Sequence, residues 1–386
     1  MYTRTWAEIN LDALEENIKG IRRITAENAM IMAVVKADAY GHGAVECSKV
    51  LLENGANMLG VACCNEAKEL RIAGIDAPIL ILGASFEEDI EELLLNDITI
   101  SLFSYEFAKK VSIVSQKLNK TAKIHIKLDT GMSRIGYLTG VNDDEIIDEI
   151  IKISNLSNIE IEGIFSHFAA ADESDSEYTK LQFDRFMTVC NRLESKGVKI
   201  PVRHIANSAA IMMYPETHLD MVRAGIILYG LYPSEEVDKS RLLLKSVMSV
   251  KSRITHIKEI CDNRGVSYGK TYITNGKTRI ATIPVGYADG YTRMLSGRAK
   301  ILVNNEPRDV VGRICMDQCM IDVTNVNNVN VGDEVVLFGS KTVTADSLAS
   351  WFGTINYEIV CMISRRIPRV FSKNGRTVSI LNYLCR

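Results

Sequence analysis

The 386-residue chain lacks a strong charge of either sign: 45 Lys and Arg face 48 Asp and Glu, a net charge of −3. That near balance gives no electrostatic reason to bind nucleic acid or an acidic membrane surface. No apolar run approaches a membrane span, and the start, MYTRTWAEINLD, is too polar for a signal peptide. The nine cysteines lack zinc spacing, Cys63 and Cys64 being adjacent and Cys315 and Cys319 four apart. They read as reduced, mostly buried thiols, and no metal site is expected. Low-complexity segments, long linkers and repeats are missing as well. These absences leave a soluble, cytoplasmic globular protein, 47% hydrophobic, whose length exceeds one ordinary core and predicts two domains.

What is present has a clear texture. Up to about residue 240, short apolar runs alternate with charged segments of helical period. The candidate strands are AMIMAVVK, MLGVA, APILILG, ITISLF, AKIHIKLD, IEIEGIFSH, VRHIAN and MVRAGIILYG. Segments such as LDALEENIKGIRRI and LQFDRFMTVCNRLESKG read as the helices between them. Eight strands alternating with helices predict a (β/α)8 barrel over residues 1–243. Beyond it, SVMSVKSRITHIKEI, TRIATIPVGY, AKILVNNEPRDVVG, CMIDVTN and VGDEVVLFG are short, partly alternating and punctuated by Gly and Asn. Residues 244–386 therefore read as a mostly-β domain with one helix near TADSLASWFG.

In a barrel of this kind the strand ends and the loops after them form the active face. Lys36 closes the first apolar run, in AVVKADAYGHG, where burial disfavours an ammonium. His167 closes the sixth run, Asn207 and Ser208 the seventh, and Arg223 lies in the eighth. The loops after strands seven and eight, where such barrels often hold phosphate, carry NSAA and AGI. Ser208 offers a hydroxyl there, and Gly225 lets backbone N–H groups approach an anion. A desolvated lysine beside a phosphate cradle suits a Schiff base with pyridoxal phosphate, whose ring acts as an electron sink.

AVVKADAYGHG, KLDTGMSRIG, FSHFAAADE, NSAA, VRAGIILYG, VSYGKTY, PVGYADGY, GRICMDQ and INYEI, in this order along essentially the whole chain, resemble the motifs of the bacterial alanine racemases, fold-type III pyridoxal-phosphate enzymes. The resemblance implies interconversion of L- and D-alanine, supplying D-alanine for peptidoglycan. Lys36 would hold the cofactor and act as one base, with Tyr268 as the other. Two bases suit a proton removed from one face and returned to the other. Both need local tuning, since a free lysine titrates near ~10.4 and a tyrosine near ~10. The resemblance also implies a head-to-tail homodimer in which Tyr268 comes from the partner chain.

By the same resemblance Arg223 faces the pyridine nitrogen, which an arginine leaves unprotonated, and His167 and His204 brace it. Arg134 would lie near the cofactor's phenolic oxygen and the substrate carboxylate. Lys127 matches a lysine that some relatives carry as a carbamate to hold that arginine. Tyr40, Ser208, the Gly225 and Ile226 amides and Tyr357 would bind the phosphate, with Asn207 beside them. Met316 of the partner would offer its N–H to the substrate carboxylate, supported by Asp317, while Tyr287, Arg293 and Arg313 would line the entry funnel. Ala224 stands where many relatives carry Pro or a bulkier residue, which loosens the phosphate loop. His42 acquires no role beyond polarity at a helix start. A serine or broad serine/alanine racemase is the alternative within the class. VSYG argues against a fold-type III decarboxylase, and the C-terminal domain argues against a barrel-only pyridoxal-phosphate carrier.

Overall fold

Runs rich in Ile, Val, Leu and Met become strands, and the segments between them helices, in the computed structural model, which describes residues 4–385. The first strands in chain order are β1 (Thr5–Asn10), β2 (Met30–Val34), β3 (Met58–Val61), β4 (Ile79–Ile81) and β5 (Ile100–Leu102). They are followed by β6 (Ala122–Asp129), β7 (Tyr137–Leu138), β8 (Ile159–Phe165), β9 (Val202–His204) and β10 (Met221–Ala224). One parallel sheet has the order β10-β2-β3-β4 and another β5-β6-β8-β9, with β7 added beside β6. Two seams join them. Leu80 pairs with Thr99 in a parallel bridge at one, and the Arg223 N–H donates to the Ala206 carbonyl at 3.0 Å at the other. Eight parallel strands thus close the expected (β/α)8 barrel, and each coincides with one of the eight runs read from the sequence.

The surrounding helices bury one stripe each. In α1 (Leu11–Ile24), Leu14, Ile18 and Ile21 are fully buried at spacings of four and three, as helical geometry requires. Ser104 caps the helix over Tyr105–Lys117 by accepting the Phe107 N–H. The long helix Glu177–Ser195 stops before Gly197, whose φ of +82° only glycine adopts readily. Inside the barrel, Met32, Met58, Leu80 and Met221 pack together, with Met30, Leu82 and Val202 against them.

By contact, the chain divides into two units: residues 14–39 with 44–245, and the residues to Ala13 with 40–43 and 246 onward. β1, in a segment not read as strand from the sequence, belongs to the second. That unit is built on a seven-stranded sheet comprising β11 (Met248–Arg253), β16 (Lys300–Val303), β17 (Glu306–Asp309), β19 (Glu334–Phe338), β20 (Arg369–Lys373), β21 (Arg376–Leu381) and β1. Its burial alternates strictly along β11, so one face is core and the other is polar. A second, antiparallel sheet holds β12 (His256–Ile260), β15 (Thr278–Ile283) and β18 (Cys319–Asp322), and a two-stranded hairpin pairs β13 (Gly265–Val266) with β14 (Tyr272–Ile273). The helix over Ala345–Phe352 fits the one read near TADSLASWFG, capped by Thr344 and ended by Gly353 at φ +82°. A second short helix, Asn356–Cys361, follows it. Among the described residues none of the nine cysteines is in a disulfide, but Cys63, Cys261, Cys361 and Cys385 are exposed, so the expectation of mostly buried thiols is corrected. No helix among these residues is long and apolar enough to cross a membrane.

The barrel interior sets a measurable cost. Leu80→Ala opens a void in the methionine cluster and should lower stability by about 2–5 kcal/mol, whereas volume-matched Leu80→Met should cost under about 1.5 kcal/mol. Urea unfolding followed by circular dichroism checks both.

Candidate active site

The residue after β2 and Val35 is Lys36, and the backbone there does something the sequence did not announce. Ala37, Asp38, Ala39 and Tyr40 all have φ between 52° and 56°, followed by Gly41 at 81°. Residues 37–41 therefore form one turn of left-handed helix, a conformation that L-residues with a Cβ resist. Gly41 is required for a second reason, because a Cβ there would collide with the Val360 carbonyl oxygen. Several groups hold the turn. Glu66 accepts the Ala37 N–H through Oε1 and the Ala62 N–H through Oε2, both at 2.7 Å. Asp38 accepts the Ala44 N–H at 2.9 Å. His42 is fully buried with Nδ1 3.0 Å from the Tyr40 carbonyl, which gives this residue the role that sequence alone withheld. The buried Arg369 donates from Nε to the Gly41 carbonyl at 2.8 Å and uses its other nitrogens on the Ile363, Ser364 and Ile367 carbonyls. Neither Glu66 nor Arg369 was singled out from the sequence, since a carboxylate on a helix and an arginine in a strand carry no signal without this backbone.

In the barrel unit Lys36, Lys127, Arg134 and Arg223 come within electrostatic range of His167, and Lys127 and Arg223 within range of His204. Arg223 is buried in β10. Its Nη1 faces His204 Nδ1 at 3.0 Å and donates to the His204 carbonyl at 3.2 Å. Its Nη2 reaches the Ser166 carbonyl at 2.7 Å, His167 Nδ1 at 3.0 Å and the Ile205 carbonyl at 3.1 Å. An arginine has only donors, so both histidines present a bare Nδ1 to it. Burial, then the charges of Arg223 and its cationic neighbours, pushes His167 and His204 well below the usual histidine range. Arg223 is itself lowered to about 9 by burial and by Arg134, which leaves it charged at neutral pH.

Lys127 is 3% exposed, donates to the Leu128 carbonyl at 2.5 Å and lies 5.2 Å above the Phe165 ring. Burial first and Arg223 next push it down to about 7, with Asp129 opposing. Arg134 is exposed. Ser208 Oγ accepts the Gly225 N–H at 3.0 Å, which ties the loops after β9 and β10 together. Asn207 caps the short helix over Ser208–Met213 by accepting the Ala210 N–H. Ile226 begins a helical turn directly after Gly225, and Ala224 is fully buried.

In the other unit, the rings of Tyr40 and Tyr357 lie 6.2 Å apart. Burial holds the Tyr40 phenol well above the usual tyrosine range. Tyr268 sits on a tight turn flanked by Ser267, Gly269 and Lys270, all at positive φ, and is 68% exposed. Ser267 Oγ donates to the Arg313 carbonyl at 2.5 Å, and Gly269 lies against the Arg313 guanidinium. Tyr287 and Ala288 donate their N–H groups to the Cys315 and Met316 carbonyls at 3.1 and 3.0 Å. A side chain on Gly286 would collide with those same carbonyls. Met316 and Tyr287 are exposed, and Asp317 pairs with Arg366 at 2.8 Å. Arg293 is exposed on its own turn.

The barrel presents a lysine from a strained turn and holds a buried arginine on two histidines, a β-rich unit accompanies it, and comparison with known proteins places such a chain in the amino-acid racemase class. Family models for the alanine racemase N-terminal and C-terminal domains match residues 9–233 and 247–371. The alanine racemase of Clostridium tetani is 54% identical over 383 residues, 98% of both chains. The solved alanine racemase of Clostridium difficile 630 superposes with a TM-score of 0.97 at 47% identity, covering both chains fully. That of Bacillus anthracis with bound L-Ala-P gives 0.93 at 38% identity, covering 100% of this chain and 99% of its own. The chain belongs to the alanine racemase family, isomerases that racemise alanine.

Glu66 provides a test of how the lysine is presented. Glu66→Ala leaves two backbone N–H groups without their acceptor and should lower kcat by roughly tenfold, the effect of about one charge-assisted hydrogen bond. Glu66→Gln, with a single acceptor oxygen, should fall between. Racemisation assays at matched cofactor saturation read the difference.

Proposed function

We propose that the chain interconverts L- and D-alanine with pyridoxal phosphate held on Lys36, using Lys36 and Tyr268 as the two bases, and that it supplies D-alanine for cell-wall peptidoglycan in the cytoplasm. The observation that carries this reading is the convergence of Lys36, Lys127, Arg134 and Arg223 on His167, which with His204 grips the buried Arg223. Such a site favours ligands with several negative charges, as a phosphorylated cofactor and an amino-acid carboxylate provide. The donor set fits the cofactor in a second way. Both terminal nitrogens of Arg223 are engaged by protein acceptors, while among the described residues its Nε–H makes no hydrogen bond and remains for a ring nitrogen. Ser208 Oγ accepts from Gly225, so its own proton is available to a phosphate oxygen.

When bound, the cofactor's ring withdraws electrons from the substrate Cα. The chain's own residues do the rest. Ser208, the Gly225 and Ile226 amides, Tyr40 and Tyr357 bind the phosphate, with Asn207 fixing the helix that carries Ser208. Arg223, braced by His167 and His204, keeps the ring nitrogen unprotonated, because a guanidinium has no lone pair to accept a proton. Arg134 orients the substrate carboxylate together with the Met316 N–H, Asp317 supporting that loop. Lys36 Nζ and Tyr268 Oη take and return the Cα proton. Tyr287, Arg293 and Arg313 line the approach. Tyr268, Tyr287 and Met316 are exposed, which supports a second copy of the chain as the source of the tyrosine.

Lys127 as a carbamate would turn a repulsive neighbour of Arg134 into an attractive one. Its depressed pKa supports this, because carbamylation needs the neutral amine.

Two experiments follow. Lys36→Ala should abolish the cofactor band near about 420 nm and racemisation, whereas Tyr268→Phe should keep the band and lose racemisation. Mixing the two inactive variants as dimers should restore up to about a quarter of wild-type activity, because each mixed dimer regains one intact site. No recovery on mixing would place Tyr268 in its own chain's site. Loss of the band in Tyr268→Phe would make that tyrosine structural. The absence of a D-enantiomer from L-alanine, with one from L-serine, would favour the serine alternative.

The carbamate should give a 13C resonance from labelled bicarbonate that is absent in Lys127→Ala. It should fade as pH falls below about 7, where the amine becomes protonated.

A further inference from the structure

Behind Arg223, away from the groups assigned above, a second line of polar side chains runs through the barrel wall. His204 Nε2 lies 2.8 Å from His125 Nδ1, and both rings are fully buried. His125 Nε2 in turn faces Glu162 Oε2 at 3.5 Å, an electrostatic contact longer than an ordinary hydrogen bond. Glu162 also accepts from Thr99 Oγ1 at 3.3 Å and from Lys123 Nζ at 3.3 Å. The four members sit on β10, β9, β6 and β8. Room for His125 is built into the barrel: Gly163 lies opposite it in register, and a Cβ there would stand 2.6 Å from the His125 ring. Phe165 stacks on His204 with centroids 4.9 Å apart and planes 6° from parallel.

The chemistry of the end members allows one proton order. Arg223 only donates, so His204 must accept at Nδ1 and carry its proton on Nε2. That proton points at His125 Nδ1, which must be bare, so His125 carries its own proton on Nε2, toward Glu162. An ionised carboxylate only accepts, so it closes the series without conflict. The neighbouring His125 ring first, and then the charge of Lys123, hold the Glu162 carboxyl below the usual carboxylate range against the opposing effect of burial.

We infer that Glu162 and His125 are positioning residues for Arg223, ordering the protons of His204 so that it stays a neutral acceptor and locks the guanidinium in place. The inference rests on the reading of Arg223 as the group facing the cofactor's ring nitrogen. It assigns function to a carboxylate outside every motif read from the sequence.

The test is 15N spectroscopy of ring-labelled histidines in the full chain, with and without pyridoxal phosphate. His125→Asn and His204→Gln assign the signals. Both histidines should be neutral with the proton on Nε2 alone between about pH 6 and 9, cofactor present or absent. A proton on Nδ1 of either, or a doubly protonated ring, overturns the proposal. In Glu162→Met the His125 Nε2 proton should exchange at least about tenfold faster. kcat should fall by roughly tenfold with KM within about twofold, and Glu162→Gln, which keeps an acceptor oxygen, should recover most of both. Wild-type spectra and wild-type kcat in Glu162→Met overturn it. Should that variant not fold, the wild-type proton order and Glu162→Gln still decide. If the protons are ordered as stated but cofactor leaves the His204 signals unmoved, the assignment of Arg223 fails, and with it this role for Glu162.

Discussion

Four cations crowded onto the rim of one barrel set the terms for everything near them. Lys36, Lys127, Arg134 and Arg223 act together on His167, Arg134 and Arg223 act on Lys127, and Arg134 acts on Arg223 in turn. Like charges in a desolvated setting repel strongly, and a protein relieves this by neutralising what can be neutralised. His167 and His204 are pushed toward their neutral forms and Lys127 toward its neutral amine, while the Arg223 guanidinium keeps its charge. Those neutral forms are useful in themselves. A histidine that has lost its proton is an acceptor, and Arg223 is anchored on two of them. Positive potential that remains would be answered by the proposed ligands, which carry phosphate and carboxylate. The site is thus unfavourable alone and complementary to what it is proposed to hold.

The left-handed turn after Lys36 is the second constraint. At about 1–2 kcal/mol per residue, four residues with a Cβ in this conformation cost roughly 4–8 kcal/mol, comparable with the net stability of a domain. Such strain persists only where the surroundings over-determine it. Here they do: Glu66 holds the Ala37 N–H at the start and is itself fixed by the Ala62 N–H, and Arg369 and His42 hold carbonyls at the end. The result is a lysine presented from a backbone that cannot relax into an ordinary helix.

What the sequence revealed follows from where side-chain pattern and backbone agree. The eight barrel strands were legible because parallel strands covered on both faces read as continuous apolar runs, as in APILILG and ITISLF. Lys36, His167, Ser208 and Arg223 stood out because polar residues at the ends of such runs have no packing reason to be there. The left-handed turn was hidden: Ala, Asp, Ala and Tyr carry no preference for positive φ, and only Gly41 hinted at it. β1 was hidden because TWAEIN lies far in sequence from β11 and β20, between which it sits. Glu162 was hidden for a different reason. In IEIEGIF it reads as one more polar residue of an alternating strand, and its partner His125 becomes visible only when β6 is laid beside β8 in register.

The two proposed bases differ in how they are supported, and the difference bears on assembly. Lys36 issues from a clamped turn in a barrel wall, whereas Tyr268 stands on a surface turn held by Ser267 and Arg313, mostly open to solvent. A phenol surrounded by water has no preorganised environment, and proton transfer at carbon gains from excluding water. Something must therefore cover Tyr268 before it can act. Met316 and Tyr287 are exposed as well, and their loops are bound to each other through the Cys315 and Met316 carbonyls. Covering the tyrosine by a second copy would bury these apolar and aromatic groups in the same step. Assembly and activation of the base would then be a single event, and the isolated chain would carry two half-sites rather than one complete site.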